Sequence, residues 1–151
     1  ELNFEVHREP LQNPYVMTEP VRIREILVNI LNNAVKFTKD GGTIRFDADS
    51  RPGADAQHIV ICYRIKDTGI GMSEEVCAHL FEQHRREEPE SITADGSIKR
   101  GCGLALFNVL QRIHFFYGED SGMRVKSQEG VGTQVIVELN GEPHEPAPMK
   151  V

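Results

Sequence analysis

Pro20-Val-Arg-Ile-Arg-Glu25-Ile-Leu-Val-Asn29-Ile-Leu-Asn32-Asn33-Ala-Val-Lys36-Phe37 is the stretch from which the fold and the site are read. Set out at about 100° per residue, Ile23, Ile26, Leu27, Ile30, Leu31, Ala34 and Phe37 fill one side, the pattern of an amphipathic helix. Arg22, Glu25, Asn29, Asn33 and Lys36 gather within roughly 80° on the other side. A solvated face is the ordinary reading of such a stripe. The residue choice argues against it, because Asn29, Asn32 and Asn33 compete with the helix backbone, whereas Glu, Lys or Gln serve a wet face better. Thr18 is the expected cap, and Pro20 suits the first turn.

On the N-terminal side, Leu2, Phe4 and Val6 alternate as in a short strand. On the C-terminal side, Lys39-Asp-Gly-Gly42 ends the helix, and Ile44, Phe46 and Ala48 alternate with Arg45, Asp47 and Asp49. Ile59, Ile61, Tyr63 and Ile65 carry the returning strand after a hairpin loop, and that strand runs straight into Asp67-Thr-Gly69-Ile-Gly71. Ser73-Glu-Glu75 caps a short helix ending near Phe81. The polar stretch from Glu82 to Arg100 has no clear periodicity and reads as a functional loop or a mobile lid. Gly101-Cys-Gly103-Leu104-Ala-Leu106 opens a further helix that ends before Gly118. Residues 123–127 and 133–139 form a last hairpin, and a Pro-rich linker follows. The expected division is therefore one domain over 1–140 and a tail over 141–151.

This element order lacks the strict βαβ alternation of a dinucleotide-binding or P-loop domain, and neither phosphate fingerprint is present. The expected fold is α+β, a two-layer α/β sandwich with a mixed, mostly antiparallel sheet and helices on one face. The candidate pocket lies between the first helix and the glycine-rich segments. An ionised Asp67 is acceptor-only, so it can take a hydrogen bond from the exocyclic amine of adenine but opposes the carbonyl of guanine. Gly69 and Gly71 let the backbone pass close to a base. The Asn33 amide oxygen is a hard ligand suited to Mg²⁺. Asn29 lies one turn earlier and Lys36 almost one turn later, within reach of the same phosphate chain. Gly101 and Gly103 precede a helix, whose free N–H groups receive phosphate.

These motifs resemble the boxes of the catalytic ATP-binding domain of sensor histidine kinases, within the GHKL superfamily of gyrase, heat-shock chaperone ATPases and MutL-type repair proteins. Asn29 to Thr38 matches the N box, Asp67 to Gly71 the G1 box, Leu80-Phe81-Glu82 the start of the F box and Gly101 to Leu106 the G2 box. Gly130-Val-Gly132-Thr133 matches the final glycine motif. The resemblance implies a Bergerat-type fold, Mg²⁺ on Asn33, phosphate or metal-shell contacts from Asn29 and Lys36, and adenine read by Asp67. Thr133 would assist at the base through water, Arg86 would contact phosphate, and Leu104 would line the nucleotide site.

By the same resemblance the phosphate acceptor is a histidine in a separate dimerisation domain, and none of the six histidines here has that setting. The implied partners are that domain and a response regulator or fused receiver domain. His84 and Ala105 depart from the family pattern, which keeps a non-catalytic nucleotide-binding scaffold in view beside a related ATPase or serine kinase module.

Composition fits these expectations. At 151 residues and 39% hydrophobic the chain can build one core. A formal charge of −6 argues against a nucleic-acid surface. No apolar run reaches membrane-spanning length, and three cysteines without metal spacing suit a reducing cytoplasm; the resemblance implies the cytoplasmic part of a larger sensor.

Overall fold

The computed structural model describes residues 1–8, 16–17, 19–55, 57–81 and 102–143. The elements run β1 (Asn3–Arg8), β2 (Val16–Met17), α1 (Pro20–Phe37), β3 (Thr43–Pro52), β4 (Ile59–Asp67), α2 (Glu74–Ala78), α3 (Cys102–Tyr117), β5 (Gly122–Gln128) and β6 (Gly132–Pro143). One sheet is ordered β1-β3-β4-β6-β2, and β5 also pairs with β6. Among the described residues only β1 and β3 run parallel. The mixed, mostly antiparallel sheet expected from the sequence is therefore the one observed.

Period-two alternation sorts the strands. Ile44, Ile65, Val135, Val137, Leu139 and Met123 join Ile26, Ile30 and Ala34 of α1 and Leu106, Val109 and Ile113 of α3 in one buried cluster. Ile113 and Val137 are fully inaccessible. The opposite face carries charge: Arg45 pairs with Asp47 at 2.8 Å, Arg51 and Arg124 with Glu138 at 2.9 and 3.0 Å, and Arg64 with Asp49. Exposed pairs of this kind contribute about 0–1 kcal/mol each, so the helix-side core is the main source of stability.

Two details differ from the sequence reading. Glu19, not Thr18, occupies the N-cap of α1, and its side chain makes no capping bond. Strand β6 continues through Gly141, Glu142 and Pro143, where the tail was expected, because Glu142 and Pro143 pair with Met17 and Val16 of β2. The short strand expected around Phe4 and Val6 is β1, where both side chains are more than half exposed. Thr18 and the segment from Glu82 to Gly101, which holds His84, Arg86 and the expected lid, lie outside the described residues.

Candidate functional site

The end of β4 and the start of β6 set the site. Asp67 and Thr133 are direct cross-strand partners, flanked by Ile44 on β3 and Ser127 on β5. Gly132 has φ +140°, and a Cβ there would run into the Asp67 carbonyl, so β6 comes this close to β4 only with glycine at that position. After Asp67 the chain turns under α1: Thr68 N–H donates to the Thr43 carbonyl at 3.0 Å and Ile70 N–H to the Phe37 carbonyl at 3.1 Å. Gly71 has φ +66° and lies where any side chain would strike the Gln128 carbonyl. This loop is thus clamped between α1 and the β5–β6 hairpin.

Asp67 is 7% exposed. Its Oδ1 accepts the Gly69 N–H at 2.8 Å and the Thr133 N–H at 3.2 Å. Oδ2 has no protein partner among the described residues and is not sealed from solvent. Burial pushes the Asp67 carboxyl above the usual carboxylate range, and the two N–H groups oppose that shift. A Cβ on Gly69 would sit 2.6 Å from the Phe37 carbonyl and 2.7 Å from Asp67 Oδ1, so this glycine admits both the helix end and the carboxylate.

A cavity of about 510 Å³, counted with its open mouth, lies against this carboxylate. Ile30, Ala34, Ile65, Ile70, Met72, Leu106 and Val135 wall it with apolar groups; Asn33, Asp67 and Thr133 are its polar side chains. An apolar lining with a few placed polar groups is the usual make-up of a ligand pocket. The space suits a flat aromatic ring whose edge offers a donor to Oδ2.

Of the residues singled out from sequence, Asn33, Asp67, Gly71 and Thr133 converge on the cavity, and Gly69 braces Asp67 from behind. Asn29, half-buried, and Lys36, exposed with Nζ 5.1 Å from the Phe37 ring centroid, share the helix face of Asn33 but do not line the cavity. Gly103 and Leu104 lie in the first turn of α3. Arg86 and Gly101 are outside the described residues. Sequence reasoning missed Ser127, whose hydroxyl meets the loop and Thr133 at once; its signal was its place opposite Thr133 in the last hairpin.

A family model described as "Histidine kinase-, DNA gyrase B-, and HSP90-like ATPase" matches residues 18–143. The chain belongs to that ATPase family. It is 34% identical over 127 residues to the autoinducer 2 sensor kinase/phosphatase LuxQ of Vibrio parahaemolyticus, covering 84% of this chain and 14% of that protein. It is likewise 34% identical over 106 residues to the adaptive-response sensory kinase SasA of Nostoc sp., covering 70% of this chain and 24% of that protein. The chain therefore spans a quarter or less of the length of these relatives.

Among solved structures, the mycobacterial sensor histidine kinase MprB superposes with TM-score 0.58 at 24% identity, over 95% of this chain and 84% of that one. Full-length ShkA in complex with AMPPNP gives TM-score 0.60 at 23% identity, over 97% of this chain and 27% of that one. These likenesses establish the ATPase-family fold, the Bergerat-type sandwich expected from the motifs.

Proposed function

We propose that this chain is the ATP-binding catalytic domain of a two-component sensor histidine kinase, donating the γ-phosphoryl group of ATP to a histidine on a separate dimerisation domain. The observation that carries the proposal is the free Oδ2 of a buried Asp67 at the edge of an apolar cavity beside Asn33. That oxygen accepts the adenine amine, the apolar walls sandwich the ring, and the phosphates run out along the Asn29, Asn33 and Lys36 face. By the resemblance of their motifs, Gly101, Gly103, Leu104 and Arg86 would also contact the nucleotide.

The donor set also fits Mg²⁺. Among the described residues there is no cluster of three or more His, Cys, Asp or Glu that could hold a metal. A cation here would rest on the neutral Asn33 oxygen together with ligand oxygens and water, the manner in which Mg²⁺ usually accompanies a nucleotide. The ion supplies neutralisation of phosphate charge. The protein's part is positioning: it fixes the base, aligns the phosphate chain and leaves the γ-phosphoryl exposed to an incoming imidazole nitrogen. The P–O bond to ADP breaks as the P–N bond to histidine forms.

The partners that follow are the dimerisation domain and a response regulator or fused receiver domain, with a cytoplasmic setting in a larger sensor. No helix among the described residues is long and apolar enough to cross a membrane. A kinase must not waste its γ-phosphate on water. Asp67 is the one carboxylate among the described cavity-lining residues, and in this reading its free oxygen is taken up by the base rather than by an attacking water. The chain alone is expected to turn over Mg·ATP far more slowly than about 1 s⁻¹, the lower end for dedicated enzymes. Turnover at or above that rate would favour the ATPase reading instead.

A further inference from the structure

We infer that Ser127 is a positioning residue that sets the hydrogen-bond polarity of the base-reading edge, and through it the preference for adenine over guanine. This inference rests on the adenine assignment proposed above. Ser127 Oγ lies 2.8 Å from the Met72 backbone nitrogen, 3.0 Å from the Gly132 carbonyl oxygen and 2.8 Å from Thr133 Oγ1. A serine hydroxyl has one proton and two lone pairs. Met72 N–H can only donate and the Gly132 carbonyl can only accept, so the serine proton goes to Gly132 and one lone pair to Met72. All three bonds are made together only when the Thr133 hydroxyl donates to the remaining lone pair.

The consequence reaches the cavity. With its proton committed to Ser127, Thr133 presents lone pairs alone, beside an Asp67 Oδ2 that also only accepts. A water held on Thr133 must donate to it, which leaves its other proton aimed at the base edge. Adenine meets this array with an amine donor toward Asp67 and an acceptor nitrogen, N1, toward the water. Guanine offers a carbonyl and an N1–H, the reverse polarity at both points. Ser127 touches no ligand; it acts by fixing which way Thr133 points its proton.

The test measures dissociation constants of the 151-residue chain for Mg·ATP, Mg·GTP and Mg·1-deaza-ATP, which lacks the N1 acceptor, with folding checked by circular dichroism. Ser127→Ala frees the Thr133 proton. The ATP-over-GTP affinity ratio should fall about tenfold, equivalent to about 1.4 kcal/mol, and Ser127→Thr should restore it. Thr133→Val should give the same fall, and the double variant no more than either single change. Removing N1 should weaken binding about tenfold in the wild type and hardly at all in Ser127→Ala or Thr133→Val.

A merely structural serine would weaken ATP and GTP together and leave the ratio unchanged, which would overturn the inference while leaving the adenine site standing. If Ser127→Ala does not fold, Thr133→Val and the deaza analogue decide: an unchanged ratio and equal N1 sensitivity overturn it. A wild-type chain that binds ATP and GTP equally would sink both the inference and the adenine assignment.

Discussion

Replacing Asp67 by asparagine probes the site while leaving the fold in place, and the geometry gives the size of the effect. An asparagine oxygen in the position of Oδ1 still accepts from Gly69 N–H at 2.8 Å and Thr133 N–H at 3.2 Å. These bonds weaken because the acceptor loses its charge, from about 1.5–3 to about 0.5–1.5 kcal/mol each. Relief of the burial cost that raises the Asp67 carboxyl offsets that loss, so net stability should move by no more than about 1 kcal/mol. The other oxygen becomes an NH₂ group facing the cavity.

For ATP this removes a charge-assisted hydrogen bond of about 1.5–3 kcal/mol, or about 10- to 150-fold in affinity, and opposes donor to donor. For GTP it supplies a donor to the guanine carbonyl. The preference for ATP should fall by about two orders of magnitude or more. Competition against a fluorescent adenine nucleotide, with denaturant unfolding of the same samples, measures both quantities. A folded Asp67→Asn chain whose ATP affinity stays within about twofold of wild type would refute the reasoning.

Gly71→Ala should destabilise the chain by about 1–3 kcal/mol, read as a lower thermal midpoint, because the position combines φ +66° with contact against the Gln128 carbonyl. The raised carboxyl of Asp67 also makes two pH predictions. Since its folded value lies above the unfolded one, its contribution to stability is full below the ordinary carboxylate range and is lost as pH rises through the raised value; Asp67→Asn should abolish this slope in unfolding measured across that window. The ATP-over-GTP affinity ratio, in which phosphate titration cancels, should fall as pH drops through the same window, because a protonated Asp67 can donate to guanine.

The helix face, the core and the carboxylate-to-glycine loop were legible because each rests on a local pattern: the period of α1, the alternation of β3 and β4, and an Asp ahead of two glycines. What escaped was set by pairing between distant parts of the chain. Strand β2 is only Val16 and Met17, held by Glu142 and Pro143 at the other end of the sequence, and the same pairing extends β6 beyond the point where its proline content suggested a tail. The cap at Glu19 rather than Thr18 was open because both can precede a proline. In the cavity lining, Asp67 and Asn33 were readable from residue type and Thr133 from the resemblance of its glycine motif. Ser127 was not, since its importance lies in three partners that only the β5–β6 register and the turn at Met72 bring together.

The most direct measurement joins this chain to the rest of its native protein, supplies Mg·ATP labelled at the γ-phosphate, and follows label into protein and into free phosphate. Phosphoryl transfer to a histidine outside this chain is expected, recognised by its lability in acid and stability in base. Asn33→Ala should abolish it without unfolding the domain, and free phosphate should accumulate far more slowly than about 1 s⁻¹. Rapid release of phosphate by the chain with no phosphohistidine formed would contradict the kinase assignment, and absence of both products in a chain that binds ATP would mark it as a non-catalytic scaffold.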